Sequence, residues 1–187
     1  TSVFLAKEYG FKVYAADLWS DPEENKKFFE SMGLTDEQIV PVKADAENLP
    51  FDKDFFDAVV TTDSYNYFGR NPKYLDEKLL PFVKSGGYIY ISIPGMKHDC
   101  HDNLPKELLL SWTPEQLDYM HDVEYWKAMV EQCVGAELVE IAEMESNDEV
   151  WADWLKQDNE YAVGDRKSME AGGGKYLNFI KIVLRKK

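Results

Sequence analysis

The sequence predicts an α/β fold built on a doubly wound, mostly parallel sheet with an antiparallel C-terminal strand. Short runs rich in β-branched and aromatic residues alternate with helical stretches, which is the pattern of parallel strands joined by crossover helices. The last two strand patterns lack a long helix between them, so an antiparallel pairing is expected there. The 187 residues show no linker and no internal repeat, and we therefore expect a single domain over residues 1–187.

The first half of the chain alternates regularly between helical and strand patterns. It begins with an apolar helical stretch that Gly10 ends, as a C-terminal glycine commonly ends a helix. Pro22 lies in the opening turn of a second helix, which ends near Gly33. Three strands are predicted from apolar and β-branched runs, at residues 11–18, 39–45 and 55–63.

The second half continues with a helix over residues 72–84, closed by two glycines. The strand at residues 88–95 is apolar enough to lie in the centre of the sheet. A helical pattern fills most of residues 113–133, where a threonine cap and a proline open it. A strand is predicted at residues 136–145, followed by a helical patch at 149–161 and a polar loop at 162–175. The last predicted strand lies at residues 176–184.

Composition excludes several functional classes. Acidic residues outnumber basic ones 35 to 21, so the formal charge is -14 and most of the surface repels nucleic acid and anionic membranes. No apolar stretch reaches the roughly 18 residues of a membrane span. The two cysteines, Cys100 and Cys133, have neither disulfide nor zinc-ligand spacing, which predicts a cytoplasmic protein with free thiols. The string HDCHD at residues 98–102 has no second ligand cluster to complete it, so no metal site is expected.

Three predicted strands end in a carboxylate: Asp17, Asp45 and Asp63. Ligands of open α/β sheets bind beyond the carboxyl ends of the strands, so these side chains are candidates for a binding site. Asp17 is placed to accept hydrogen bonds from both hydroxyls of a ribose, and Leu18 and Trp19 can form an apolar wall for a purine. The alternative is that Asp17 only starts a turn and caps the following helix, since Asp is common in both places.

The two later strand ends complete the pattern. Asp45 can approach the amino group of an adenine, and the small Ala46 leaves room for its backbone N–H to reach a ring nitrogen. After the third strand, Asp63, Ser64 and Tyr65 are expected at the mouth of the same site. Each string alone is weak evidence, and their order is the stronger signal.

The strings VYAADLW, KADAENLPF, FFDAVVTTDSYNYF and LLPFVKSGGYIYISIPG resemble, in order and spacing, class I S-adenosylmethionine-dependent methyltransferases of the small-molecule type. The resemblance covers residues 1 to about 95. It implies a seven-stranded Rossmann-like sheet and S-adenosylmethionine as the methyl donor. It places Asp17 at the donor's ribose, Asp45 and Ala46 at its adenine, and Asp63 and Ser64 near its sulfonium.

The sequence departs from this family in one respect. The family's glycine-rich loop should precede the first helix, and no such string is present before Thr1. We expect that the chain is an N-terminally truncated piece that lacks the first strand of the sheet, and that it binds the donor weakly by itself.

The acceptor is expected to be a small molecule bound by residues 96–133, where the family places a lid or acceptor-binding insertion. All three histidines lie in this stretch, and His101, His121 and the nearby Tyr65 are the candidate catalytic residues. Methyl transfer from a sulfonium needs a general base only if the acceptor must lose a proton, because positioning supplies much of the acceleration. The alternative for each histidine is an ordinary solvated loop residue.

Two other functions remain open at this point. An NAD(P)-dependent oxidoreductase would use the same strand-end carboxylate on a ribose, but no Tyr/Lys pair in YxxxK spacing lies near the fourth strand. A methyltransferase-like domain without catalysis would serve as an interaction surface. The sequence does not specify the acceptor, and it allows a homodimer.

Overall fold

The computed structural model describes residues 1–187, which form two compact units, residues 1–52 and 53–187. No helix in it has the length and apolar character needed to cross a membrane. The α/β architecture predicted from the sequence is confirmed, with six strands in parallel and antiparallel pairings.

The first unit pairs two parallel strands with two helices. Its core contains Ala6, Phe29, Leu34 and Ile39. The chain leaves the first helix at Gly10, whose φ of 66° is left-handed, as the C-terminal glycine predicted. In chain order the elements are α1 (Ser2–Tyr9), β1 (Val13–Asp17), α2 (Pro22–Ser31) and β2 (Ile39–Lys43), with Val13 opposite Ile39 and Asp17 opposite Lys43.

The second unit contains a four-stranded sheet with the order β3-β4-β6-β5. The third and fourth strands are parallel, and the last strand runs antiparallel to both of its neighbours, which confirms the antiparallel ending. Four apolar side chains of the last strand are at most 1% exposed, because the strand lies between two others. The strands are β3 (Phe56–Thr62), β4 (Val83–Met96), β5 (Ala136–Glu143) and β6 (Leu177–Lys186).

The helices of this unit are more broken than the sequence pattern predicts. The helix expected at residues 72–84 is a π turn over Leu75–Leu79 followed by a 3₁₀ turn over Leu80–Phe82, because Pro81 interrupts regular helical hydrogen bonding. The helix expected at residues 113–133 is two shorter helices. The helices are α3 (Tyr65–Phe68), α4 (Pro114–Leu117), α5 (Val123–Val130), α6 (Asn147–Trp154) and α7 (Glu160–Glu170).

The prediction of a polar loop after residue 161 was wrong, because α7 lies there. Its start is fixed by Asn159, whose side chain accepts hydrogen bonds from the backbone N–H groups of Tyr161 and Ala162. The mid-helix Gly164 and the polar composition hid the pattern, while Ala162 and Ser168 are buried. Asn159 as a cap was the available sequence signal.

Asp76 fastens the connection between α5 and β5. Its carboxylate accepts hydrogen bonds from the backbone N–H groups of Val134 (2.9 Å) and Gly135 (2.8 Å) and from the Cys133 thiol (3.4 Å). Desolvation by burial raises the pKa of Asp76, but the two backbone hydrogen bonds outweigh it, so the pKa is lowered overall.

Replacing Asp76 by alanine is expected to lower the free energy of unfolding by about 1–2 kcal/mol, because two backbone donors lose their acceptor. Denaturant unfolding measures this, with Glu77→Ala on the exposed side of the same turn as the matched control. Because the pKa of Asp76 is lowered on folding, its contribution is present above the unfolded pKa near 3.9 and is lost as the pH falls through the folded value. A stability difference between wild type and Asp76→Ala that stays constant down to pH 2 would contradict this account.

Candidate functional site

Asp17 ends β1 and shapes the turn that follows it. Its Oδ1 accepts the backbone N–H groups of Trp19 (2.8 Å) and Ser20 (2.6 Å). The pKa of Asp17 is lowered, chiefly by the Ser20 hydrogen bond. The cap of α2 is instead Asp21, whose Oδ1 accepts from Glu23. The turn interpretation of Asp17 is therefore confirmed and its helix-cap interpretation is wrong, while its ribose role stays a prediction.

The turns after β1 and β2 lie at one edge of the first unit. The backbone N–H of Ala44 donates to the carbonyl oxygen of Asp17 at 3.0 Å, which joins the two strand ends. Asp45, next along the chain, accepts from the backbone N–H of Glu47 at 2.9 Å. The parallel pairing thus brings Asp17 and Asp45 to the same edge, as the sequence predicted.

Two apolar side chains beside Asp17 are left uncovered. Trp19 is 86% exposed and Leu18 is 45% exposed, although both are large and apolar. Fully burying side chains of this kind is worth roughly 1.5–3 kcal/mol each. A flat apolar ligand placed against this edge would recover part of that energy, which fits the predicted purine wall.

Asp63 and Ser64 follow β3 in the second unit. Asp63 has a left-handed φ of 49°, a conformation that Asp and Asn tolerate better than most residues, and its backbone N–H donates to the Ser92 carbonyl at 2.8 Å. Desolvation raises the pKa of its carboxyl, and the nearby charge of Asp165 raises it further. The Ser64 hydroxyl donates to the Thr61 hydroxyl at 3.3 Å.

Asp165 on α7 is a carboxylate that the sequence analysis did not single out. Its Oδ2 accepts a hydrogen bond from the indole N–H of Trp154 at 2.9 Å. Burial raises the pKa of Asp165 as well, and the charge of Asp165 in turn raises the pKa of Asp63. Asp165 was missed because its helix was predicted to be a loop.

His101 is held between two acceptor oxygens. Its Nδ1 lies 2.7 Å from Oδ1 of Asp99, and its Nε2 lies 3.0 Å from the carbonyl oxygen of Leu117. Burial alone would lower the pKa of His101, but the Asp99 hydrogen bond and the Leu117 carbonyl outweigh it and raise the pKa. Asp99 was not a predicted site residue, although its position between two histidines in HDCHD was the available signal.

His121 lies against His101 in a less polar environment. Its ring is stacked on Tyr125 at a centroid distance of 3.6 Å and an angle of 15°, and the His101 ring centroid is 4.8 Å away. Both ring nitrogens of His121 are shielded from solvent and have no hydrogen-bond partner. Desolvation, followed by the charges of His101 and Arg70, lowers its pKa. His98, the third histidine, is exposed.

Gly95 fixes where His121 can lie. The backbone N–H of Met96 donates to the carbonyl oxygen of His121 at 3.2 Å. A Cβ atom added to Gly95 would lie 2.6 Å from that same oxygen, closer than atoms pack. The glycine therefore allows the segment before α5 to approach the end of β4, which brings His121 to His101.

Tyr65 lies in the core. It is 1% exposed and its ring contacts those of Phe68, Tyr74 and Trp126 at centroid distances of 5.6–6.0 Å. Burial raises the pKa of its hydroxyl above the ordinary value. These surroundings favour a packing role, and its predicted part in catalysis stays a prediction.

The first 91 residues match the family model described as a methyltransferase domain. No curated protein matches the sequence. Many solved structures share the fold. Geranyl diphosphate C-methyltransferase from Streptomyces coelicolor A3(2) aligns with a TM-score of 0.71 and 14% identity over 99% of this chain and 67% of its own.

Two further structures show the breadth of the likeness. Phosphoethanolamine N-methyltransferase 2 from Haemonchus contortus, solved with S-adenosylmethionine, aligns with a TM-score of 0.73 and 17% identity over 98% of this chain and 45% of its own. The [4+2]-cyclase SpnF aligns with a TM-score of 0.68 and 13% identity over 99% of this chain and 69% of its own. The resemblance to class I S-adenosylmethionine-dependent methyltransferases and the predicted Rossmann-like fold are confirmed.

Proposed function

Given this methyltransferase fold, we propose that the protein transfers a methyl group from S-adenosylmethionine to a small-molecule acceptor in the cytoplasm. The proposal rests on the edge of the first unit, where the carboxylate of Asp17 at the end of β1 lies beside the exposed side chains of Leu18 and Trp19. This edge belongs to the segment that matches the methyltransferase model. The free thiols Cys100 and Cys133 support the cytoplasmic location, and the acidic surface disfavours nucleic acid and membrane partners.

The residues of the first unit fit the nucleoside of the donor. The backbone hydrogen bonds from Trp19 and Ser20 end on Oδ1 of Asp17, and we assign its Oδ2 to a ribose hydroxyl. Leu18 and Trp19 would cover one face of the adenine, and Asp45 with Ala46 would meet its polar edge. We propose these roles because the residues follow β1 and β2, in the order in which the strand ends occur along the chain.

Asp63 fits the charged part of the donor. The sulfonium carries a positive charge, and a desolvated carboxylate near another carboxylate gains most from a nearby cation. Ser64 would lie beside it. The donor supplies an activated methyl group when it is bound, and the protein residues orient it and exclude water.

The acceptor would lie against residues 96–133, where His101 and His121 come together. Both side chains are held by neighbours, His101 by Asp99 and Leu117 and His121 by stacking on Tyr125. Because their neighbours fix the orientation of both imidazole rings, these side chains could hold a reacting atom of the acceptor in place. We assign these two histidines to acceptor positioning, and Tyr65 to the same region through its position after β3.

The proposal is tested by calorimetry, in which S-adenosylhomocysteine and NAD⁺ are each titrated into the full natural protein. We expect S-adenosylhomocysteine to bind and NAD⁺ not to bind. Incubation with methyl-labelled donor and a panel of small amines, phenols and carboxylates then checks transfer. Binding of NAD⁺ alone would replace the proposal with an oxidoreductase. Donor binding without transfer to any acceptor would favour another reaction on this fold, as the cyclase neighbour illustrates.

A further inference from the structure

The geometry points to a divalent metal site formed by Asp99, His101 and His121, for an ion of the zinc type. Each side chain offers one ligand atom, and the three atoms lie within 4.8 Å of one another. The sequence alone predicted no metal site, because HDCHD holds only part of the ligand set and His121 comes from the segment before α5. Two of these ligands, His101 and His121, are also the side chains that the proposed function assigns to acceptor positioning, but binding of the ion can be measured without methyl transfer.

The spacing of Asp99 and His101 fits two ligands of one ion. Their facing atoms are 2.7 Å apart. Tetrahedral ligands that bind one zinc ion at about 2.0–2.2 Å lie roughly 3.3–3.6 Å from each other, so these two atoms would have to move apart by less than about 1 Å. The ring of His121 lies 4.8 Å from that of His101, and its ligand atom lies within 4.8 Å of those of Asp99 and His101.

The two acceptor oxygens around His101 call for either a proton or a metal ion between its Nδ1 and Asp99. The Leu117 carbonyl can only accept, so Nε2 must carry its proton. In the neutral imidazole the lone pair of Nδ1 then faces the Asp99 carboxylate, which is repulsive unless a second proton or a metal ion lies between them. A histidine whose other ring N–H donates to a backbone carbonyl is the usual arrangement of a metal ligand.

His121 supplies the second, independent observation. Its two ring nitrogens are shielded from solvent and have no hydrogen-bond partner, which is unfavourable for buried polar groups. A metal ion at the cluster would satisfy one of them.

The protein holds the ligand segments together without an ion. Oδ2 of Asp122 accepts the backbone N–H of Asp99 at 3.1 Å, which ties the Asp99 loop to the residue after His121. The His121 backbone is held in turn by Met96. Because the segments are already in place, ion binding has little ordering cost.

The ligand set determines the class of ion. Two imidazoles and one carboxylate suit Zn²⁺, Co²⁺ or Fe²⁺ better than Mg²⁺ or Ca²⁺, which prefer oxygen ligands. The thiol of Cys100 contacts the sulfur of Met96 at 3.3 Å and is not counted among the ligands. Three protein ligands leave a coordination position open, as in catalytic zinc sites.

The test is titration of chelator-treated protein with Zn²⁺ by competition against a chromophoric chelator, with Mg²⁺ for comparison. We expect one Zn²⁺ per chain and no measurable Mg²⁺ at the same concentrations. His121→Gln and Asp99→Asn should each weaken Zn²⁺ binding by at least about tenfold. His98→Gln, an exposed histidine close in sequence, is the matched control and should leave it unchanged. Circular dichroism checks that each variant is folded.

Substitution with Co²⁺ gives a second readout, because histidine coordination changes its visible absorption. Loss of the Co²⁺ spectrum in His121→Gln but not in His98→Gln supports the site. The inference is overturned if wild-type protein binds no Zn²⁺, or if His121→Gln and Asp99→Asn bind it as tightly as wild type. In that case a proton occupies the place between Asp99 and His101, and nitrogen-15 NMR would show both His101 nitrogens protonated.

Discussion

Replacing Asp17 by alanine is expected to weaken the binding of S-adenosylhomocysteine by about 1.5–3 kcal/mol, roughly 10- to 150-fold. The substitution removes the acceptor for the ribose hydroxyls, and it also removes the hydrogen bonds that shape the turn after β1. The dissociation constant measured by calorimetry in the natural polypeptide gives the result.

Asp17→Asn separates these two effects. The amide oxygen can still accept the backbone N–H groups of Trp19 and Ser20, so the turn is kept, but the negative charge is lost. We expect Asp17→Asn to retain stability and still to lose most of the affinity. Asp21→Asn, four residues away, carries the same change in charge and keeps a good helix cap, so it should bind as wild type does. An unchanged dissociation constant in Asp17→Asn would remove Asp17 from the ribose role.

The strand ends were predictable because they depend on local patterns. A run of apolar residues that stops at an acidic one marks both the strand and the edge where ligands bind, and Asp17 and Asp45 do lie at one edge. The antiparallel last strand was predicted correctly but from a wrong premise, because α6 and α7 lie between β5 and β6 where the sequence showed no long crossover helix. What the pattern did not give was the place of β6 between β4 and β5, because pairing partners depend on the whole sheet.

The acceptor region was predictable only as a region. Its histidines stood out because all of them lie in one stretch, but their contacts depend on long-range packing. His101 contacts the carbonyl oxygen of Leu117, sixteen residues later in the chain. His121 lies near His101 because Gly95 has no side chain and leaves space for the His121 backbone. Tyr65 follows a predicted strand end and was therefore expected at the mouth of the site, but it is a buried core residue. Asp165 was missed because a polar helix with an internal glycine resembles a loop.

Fold and chemistry are separate conclusions for this chain. The same architecture is found in methyltransferases that act on carbon and on nitrogen and in a [4+2]-cyclase. A cyclase does not need the positive charge of a sulfonium, whereas a methyl donor cannot act without it. A residue that distinguishes charged donor from neutral product is therefore the sharpest indicator of the reaction, and Asp63 is the candidate.

Asp63→Asn is expected to weaken the binding of S-adenosylmethionine by at least about tenfold and to leave S-adenosylhomocysteine binding nearly unchanged. The two ligands differ in one methyl group and one positive charge, so the ratio of their affinities isolates the contribution of charge. Calorimetry with both ligands measures it. Ser64→Ala is the matched control, because it alters the next residue without changing any charge.

The pH dependence gives an independent check. Desolvation and Asp165 raise the pKa of Asp63, so its carboxylate becomes protonated at a higher pH than an ordinary aspartate, and affinity for the charged donor should fall as the pH falls through that value. The raised pKa also means that the folded state binds more protons than the unfolded state, so ionised Asp63 lowers stability at neutral pH. Asp63→Asn should therefore melt at a higher temperature than wild type while binding the donor more weakly. A variant that lost stability and both ligands together would show that Asp63 is structural and does not face the sulfonium.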